Sequence, residues 1–322
     1  MPGALQHLDD LQRRRRALGM PLGVVYKFFD DQGGYHAATL AYYSFIAIFP
    51  LMLIGTSVLG FVLQGNPSLE KDVLTSALAQ FPIVGDQLGR PEGLQGSTAA
   101  VVVGSLTALY GVIGLGQAAQ NTVNTVWAIP RNSRLNPVVS RFRSLAWMVL
   151  AGLGLLVVAL ASSLGGTTFL GLAWVGRLAA VALSTVVLAV MMRLSTPQRE
   201  TLREVLPGAL MIAVLWQLLQ AFGGAYVEHV VKRASEMNSV FALVLGLVAF
   251  IYIGAVMAIL GLELNVVLAK RLYPRALLTP FTDAVSLTDA DVRVYTEYAR
   301  AQRHKGFERI QVTFERDAQP DD

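Results

Sequence analysis

Six stretches of this chain carry no Asp, Glu, Lys or Arg: residues 32–69, 93–130, 144–176, 178–192, 205–227 and 237–262. A helix needs roughly 20 apolar residues to cross a hydrocarbon core of about 30 Å. Inside lipid, a backbone must satisfy its own hydrogen bonds, which restricts spanning segments to helices and closed barrels. The runs show no period-2 alternation of the kind a barrel strand requires. The pattern therefore predicts an all-α polytopic integral membrane protein with six transmembrane helices. Composition agrees, since only 15% of the residues are charged, against about 25% in soluble domains.

The expected spans are 37–63, 98–120, 144–166, 170–192, 207–229 and 240–268. Residues 144–176 are too long for one span and too short for two. Gly165-Gly166-Thr167-Thr168 reads as a tight hairpin between the third and fourth helices, which puts Arg177 about two turns into the fourth. The chain then divides into a cytoplasmic N-terminal segment (1–36), a six-helix transmembrane domain (37–270) and a cytoplasmic C-terminal tail (271–322).

Orientation follows from the basic residues, because Lys and Arg are retained in cytoplasmic loops. With the N-terminus inside, the inner segments hold Arg13, Arg14, Arg15, Arg16 and Lys27, then Arg131, Arg134, Arg141 and Arg143, then Arg193, Arg199 and Arg203, then Lys270, Arg271 and Arg275. The outer segments hold Lys71, Arg90, Lys232 and Arg233. Both termini are expected in the cytoplasm. No short apolar segment with a cleavage site follows the Arg-rich start, so the first span is expected to initiate insertion itself.

Three segments fall outside the spans. Residues 20–36 read as an amphipathic approach helix with Val25, Phe28 and Phe29 toward the membrane. Residues 66–92 form an external loop in which Pro67 and the row Leu69, Val73, Ala77, Phe81 suggest a short interfacial helix. In the tail, Thr288-Asp289-Ala290-Asp291 resembles a capping box opening a helix to about His304. Trp127, Trp147 and Trp174 fall near expected interfaces, where an aromatic belt belongs.

Polar groups at membrane depth are costly unless partnered and tend to face the bundle interior. Gln117, Gln120, Asn121 and Asn124 recur at i, i+3, i+4 and i+7 and share one face of the second helix. Gln217 and Gln220 share a face of the fifth. The sixth carries Glu263 and Asn265 near its cytoplasmic end, and the first enters with Tyr42 and Tyr43 ahead of Pro50, where a kink is expected. Arg177 and Glu228 lie toward the outer side. Together they could trace a route from a cytoplasmic vestibule, past the glutamines, to an outer charged mouth. Each has a plainer reading. The Gln/Asn stripe could hydrogen-bond helices together. Glu263 could pair with Asn265 or a cytoplasmic Arg, Arg177 could snorkel, and Glu228 could be a solvated helix end. Pro50 could be a hinge or fixed shape.

Several chemistries are excluded. There is no cysteine, which removes disulfides, thiolate catalysis and Cys-based metal sites. His7, His36, His229 and His304 are dispersed. No phosphate-binding loop, zinc-protease motif or nucleophile elbow occurs, and no nucleic-acid-binding module is present. No cofactor or metal is expected, and the expected partners are membrane lipids rather than nucleic acid.

The chain resembles the YihY/BrkB family of bacterial inner-membrane proteins. The resemblance rests on Ala41-Tyr42-Tyr43-Ser44 followed by Phe49-Pro50, on Asn121, Asn124 and Trp127 with Arg131 beyond, on Leu206-Pro207-Gly208-Ala209, and on Gly261-Leu262-Glu263-Leu264-Asn265. The last element is similar to the family's Gly-Ala-Glu-Leu-Asn, with Leu262 in place of Ala. The likeness runs from about 20 to 275. It implies six transmembrane helices in the inner membrane. Members have carried labels as virulence factors, as ribonuclease BN and as exporters of lipid-like molecules. The ribonuclease label finds no support in these residues, which cluster no metal ligands or water-exposed acid and base groups.

Two functions compete on this reading. The first is a transporter or exporter of an amphipathic or lipid-linked substrate, with a role for Glu263 in proton coupling. The second is a non-catalytic membrane scaffold of an envelope complex, with homo-oligomers or envelope proteins as partners. Enzymatic activity is not expected.

Overall fold

The computed structural model describes residues 2–62, 98–165, 173–195, 201–233, 236–279 and 285–314. Among these the regular structure is helical throughout, without strands. Two short helices open the chain, α1 (Pro2–Arg14) and α2 (Arg16–Asp30). Six long ones follow: α3 (Gly33–Val62), α4 (Thr98–Val126), α5 (Pro137–Gly165), α6 (Ala173–Ser195), α7 (Leu202–Tyr226) and α8 (Glu236–Lys270). A π-turn at Val227–Val231 extends α7, and α9 (Asp289–Ala301) follows α8.

Each uncharged run of the sequence lies within one of the six long helices or overlaps it. α5 stops at Gly165, where the hairpin is expected; the rest of that turn lies outside the described residues, as does the external segment 66–92. α6 starts at Ala173, so the backbone of Arg177 is one turn into its helix instead of two. α3 is helical straight through position 50.

The six long helices close on themselves. α3 packs on α4, α4 on α5, α5 on α6, α6 on α7, α7 on α8, and α8 returns to α3. Close approach depends on residues without side chains. A Cβ on Gly208 would meet the Gly261 carbonyl oxygen at 2.0 Å, so α7 and α8 touch backbone to backbone there. The opposite, outward face of α7 presents Leu202, Leu206, Leu210, Val214, Leu218 and Phe222, all exposed. Four-residue spacing puts them in one continuous row. A row of this kind has no place on a water-facing surface. Leu202–Val231 and Val240–Lys270 are each long and apolar enough to cross a membrane.

α1, α2 and α9 gather at one end of the ring. α2 lies along α8, and α1 folds onto α2. α9 begins with the expected capping box, in which Thr288 Oγ1 accepts from the Asp291 N–H at 3.1 Å and the Asp291 carboxylate accepts from the Thr288 N–H at 2.9 Å. Three helices end in left-handed residues that are not glycine: Gln32, Ala128 and Arg271 have φ of 56°, 52° and 53°. These end the helix in the way a C′ residue does; the Ile129 N–H, for example, reaches back to the Asn124 carbonyl at 2.8 Å.

Candidate functional site

A partly open cavity of about 420 Å³ lies between the helices of the ring, and all six long helices contribute to its wall. α3 supplies Leu40, Ser44 and Ile48; α4 supplies Leu115, Ala119, Thr122 and Val123; α5 supplies Trp147 and Ala151. α6 adds Met191 and Met192, α7 adds Ile212 and Trp216, and α8 runs from Phe250 to Leu262. The lining is almost wholly hydrocarbon. Of its hydroxyls, that of Thr122 is turned back to the Ala118 carbonyl at 2.9 Å, with His36 Nδ1 at 3.3 Å. A hollow of this size and chemistry suits an apolar guest, because small-molecule sites run roughly 300–1,000 Å³ and are mostly apolar.

The polar residues expected to line a route are placed elsewhere. None of those with described side chains belongs to the cavity wall. Gln120 is held across the α4–α5 contact. It donates to Ser144 Oγ at 2.9 Å and to the Ser140 carbonyl at 3.1 Å, and accepts from Ser140 Oγ at 2.8 Å. Asn121 is exposed and accepts from Arg134 at 3.3 Å. Gln117, Asn124, Gln217 and Gln220 are half-buried and do not belong to the lining. Tyr42 is exposed, while Tyr43 stacks edge-on with it at 5.2 Å and lies over Gly114. Glu228 is exposed and accepts from Lys232 at 2.8 Å, the solvated-end arrangement. The side chains of Pro50 and Arg177 lie outside the described residues. The physical reason is common to these groups: a hydrogen bond to a neighbouring helix or to water compensates a polar side chain better than a hollow does.

Asn265 shows this most clearly. Its Oδ1 accepts from the Gly208 N–H at 2.7 Å and its Nδ2 donates to the Val205 carbonyl at 3.1 Å. Pro207 lies between those two residues and has no N–H of its own. One amide therefore serves both backbone groups of α7 at the point of closest helix contact.

Glu263 pairs with neither Asn265 nor an arginine. It is fully buried on the side of α8 that faces α2, and Lys27 Nζ lies 3.3 Å from its carboxylate. The same ammonium donates to Asp31. Lys27 is 1% exposed, so it is an interior cation. Burial alone would depress the Lys27 pKa, but the attraction of Glu263 and then Asp31 outweighs it, and the value is raised. Tyr298 of α9 lies beneath, with its ring centroid 5.5 Å from the ammonium; burial pushes its phenol well above the ordinary range.

A second charge cluster fastens the tail. Arg275 is buried, bonded to Asp291, and 3.0 Å from Asp30 of α2. Asp291 also accepts from the Ala276 N–H at 3.0 Å. Lys270 reaches the Trp127 carbonyl at 3.0 Å and Glu297 at 2.9 Å. Trp127 is 4% exposed and packed under Lys270, and Trp147 faces the cavity, so neither forms an interfacial belt. Val25 and Phe29 are exposed as expected of an approach helix, but Phe28 packs into the core. Among the described residues no group of three or more His, Asp or Glu converges as a metal site would.

A ring of long helices with an apolar outer row and an apolar hollow defines a helical membrane protein. The model of the family described as Virulence factor BrkB matches residues 24–283, and the chain belongs to that family. The similarity extends to proteins named UPF0761 membrane protein in Xanthomonas oryzae pv. oryzae (strain PXO99A), Xanthomonas axonopodis pv. citri (strain 306) and Xanthomonas euvesicatoria pv. vesicatoria (strain 85-10). Each is 26% identical over 298 residues, covering 85% of this chain and 67% of the relative. No solved structure matches.

Proposed function

We propose that α3 to α8 are six membrane spans in a bacterial inner membrane, with both termini cytoplasmic, and that the protein moves an amphipathic or lipid-linked substrate whose hydrocarbon part enters the central cavity. One observation carries this reading: a partly open apolar hollow of about 420 Å³ to which every long helix contributes. A structural bundle has no need of such a space, since protein interiors are normally close-packed. The reading assigns the protein a carrier role and no catalytic step. Glu263 and Lys27 then act beside the hollow. Leu262 lines it while its neighbour Glu263 holds α2, so movement of α8 would be felt at both places.

The test is photocrosslinking with a phospholipid bearing a diazirine in its acyl chain, added to the purified protein in nanodiscs. Label is expected on Leu115, Ala119, Ala255 or Ala258. Ala255→Trp, which fills the hollow, should remove that label and leave labelling of the outer row of α7 unchanged. Label confined to the outer row in both proteins would overturn the cavity as the substrate site.

A scaffold is the second reading, favoured by the docked tail. α9 is anchored by buried charges and presents a folded surface next to α2. Pull-down of envelope proteins that depends on α9 while cavity-filled protein captures them equally well would favour it.

A further inference from the structure

Where α1, α2, the end of α8 and α9 meet, five arginines surround a cleft of about 330 Å³: Arg13, Arg14, Arg16, Arg271 and Arg293, with Gln12 at its edge. Arg13 has a carboxylate partner, Asp9 at 2.8 Å. Among the described residues, Arg14, Arg16 and Arg271 form no ion pair. The Nε of Arg13 is buried without a hydrogen-bond partner. Two arginines are positioned by the backbone: Arg293 donates to the Arg271 carbonyl at 2.7 Å, and Arg13 to the Ser286 carbonyl at 3.2 Å. The Arg13 bond joins the two ends of the chain and the Arg293 bond joins α9 to the end of α8, so folding itself brings like charges together. Guanidinium groups repel one another unless an anion lies between them, and their planar fork matches the oxygens of phosphate.

We propose that this cleft binds a phosphate-bearing anion. It does so independently of the central cavity and of any transport. Two sources share that chemistry. Leu11 and Leu18 are exposed on the same two helices, as on helices that lie in a membrane interface, so an acidic phospholipid headgroup could reach the cleft. A soluble phosphate compound could enter from the water side.

The experiment compares full-length wild type with Arg14→Gln/Arg16→Gln/Arg271→Asn and with a matched control, Arg15→Gln/Arg203→Gln/Arg309→Gln. All six positions are exposed, and Asn tolerates the left-handed backbone at 271. Inorganic pyrophosphate is titrated onto protein in neutral detergent and read by the shift in thermal unfolding. In parallel, retention of phosphatidylglycerol against phosphatidylcholine is read by native mass spectrometry from mixed nanodiscs. Loss of the cleft arginines should weaken binding by more than about tenfold, the factor expected when charge-assisted hydrogen bonds are removed. The control should stay within about twofold, as screened charges outside the cleft predict. Selective loss of pyrophosphate binding identifies a soluble phosphate ligand. Selective loss of phosphatidylglycerol identifies a headgroup. Equal losses in the two variants, or no binding of either probe by wild type, would overturn the proposal.

Discussion

Lys27 Nζ stands 3.3 Å from the Glu263 carboxylate, with both side chains buried and contributed by helices at opposite ends of the chain. Asp31 shares the ammonium, so the cluster holds two acids and one base. Removing one member of a buried ion pair costs about 3–5 kcal/mol, because its partner is left charged and unsolvated. Lys27→Met should therefore lower unfolding stability in detergent by an amount in that range. Glu263→Gln should cost less, since Asp31 still balances Lys27. Equal, negligible effects on the melting curve would mean the cluster does not hold α2 in place. Because Glu263 supports the fold, loss of transport in that variant is informative only beside its melting curve.

Asn265→Ala should destabilise by about 1–3 kcal/mol, the cost of leaving buried backbone groups unsatisfied. The groups are the Gly208 N–H and the Val205 carbonyl. Gly208→Ala is more severe. The new Cβ would meet backbone at 2.0 Å, which no rotamer can relieve. Size-exclusion profiles should show little folded Gly208→Ala protein and an intact but heat-sensitive Asn265→Ala protein.

Arg275→Ala should release α9 without opening the ring. Arg275 joins Asp291 of α9 to Asp30 of α2. Hydrogen exchange is expected to rise in residues 285–301 and to stay low in α4, α7 and α8. Uniform loss of protection along the chain would show that the tail and the ring unfold as one unit.

How much of this was readable beforehand differs by kind of feature. Helices α3 to α8 were legible because a charge-free run has few structural options. Thr288 and Asp291 were legible because a capping box is local. The resemblance carried by Glu263 and its neighbours was confirmed by the family match. The pairing of Lys27 with Glu263 was not legible, because a cation near a span serves equally well as a topological signal or a buried partner, and only the fold brings α2 onto α8. The cavity was invisible for another reason. Its wall is mostly Leu, Ile, Ala and Met with Trp147, Trp216 and Phe250, the same kinds of residue that face lipid, so no local pattern separates hollow from surface. Within the polar stripe on α4, Gln120 meets Ser140 and Ser144, and that contact is a matter of packing.

Orientation can be checked directly because the chain has no native cysteine. In intact cells, Lys232→Cys should react with a membrane-impermeant maleimide. Phe307→Cys, at 88% exposure, should react only after lysis. The reverse pattern would invert the proposed topology.

The N-terminal helix should respond to acid. Burial opposes ionisation of Asp9, but hydrogen bonds from Gln12, Arg13 and the Leu277 N–H outweigh it, and its pKa lies below the ordinary value. A carboxylate with a depressed pKa contributes stability that is complete above its unfolded value, near 3.9, and disappears as pH falls through the lower folded value. A spin label on Asp10→Cys should therefore be immobile from neutral pH down to about 4 and become mobile only at lower pH, as the folded value of Asp9 is passed. Asp9→Asn should loosen the label already at neutral pH.

The pairing of Lys27 with Glu263 has a consequence for biogenesis. At a ribosome rate of about 5–20 residues per second, Lys27 is made many seconds before its acid emerges. Through that interval α2 cannot settle against the growing bundle as it does at the end. Final closure thus belongs to the last span, and a nascent chain truncated before Glu263 should remain open and vulnerable to membrane proteases.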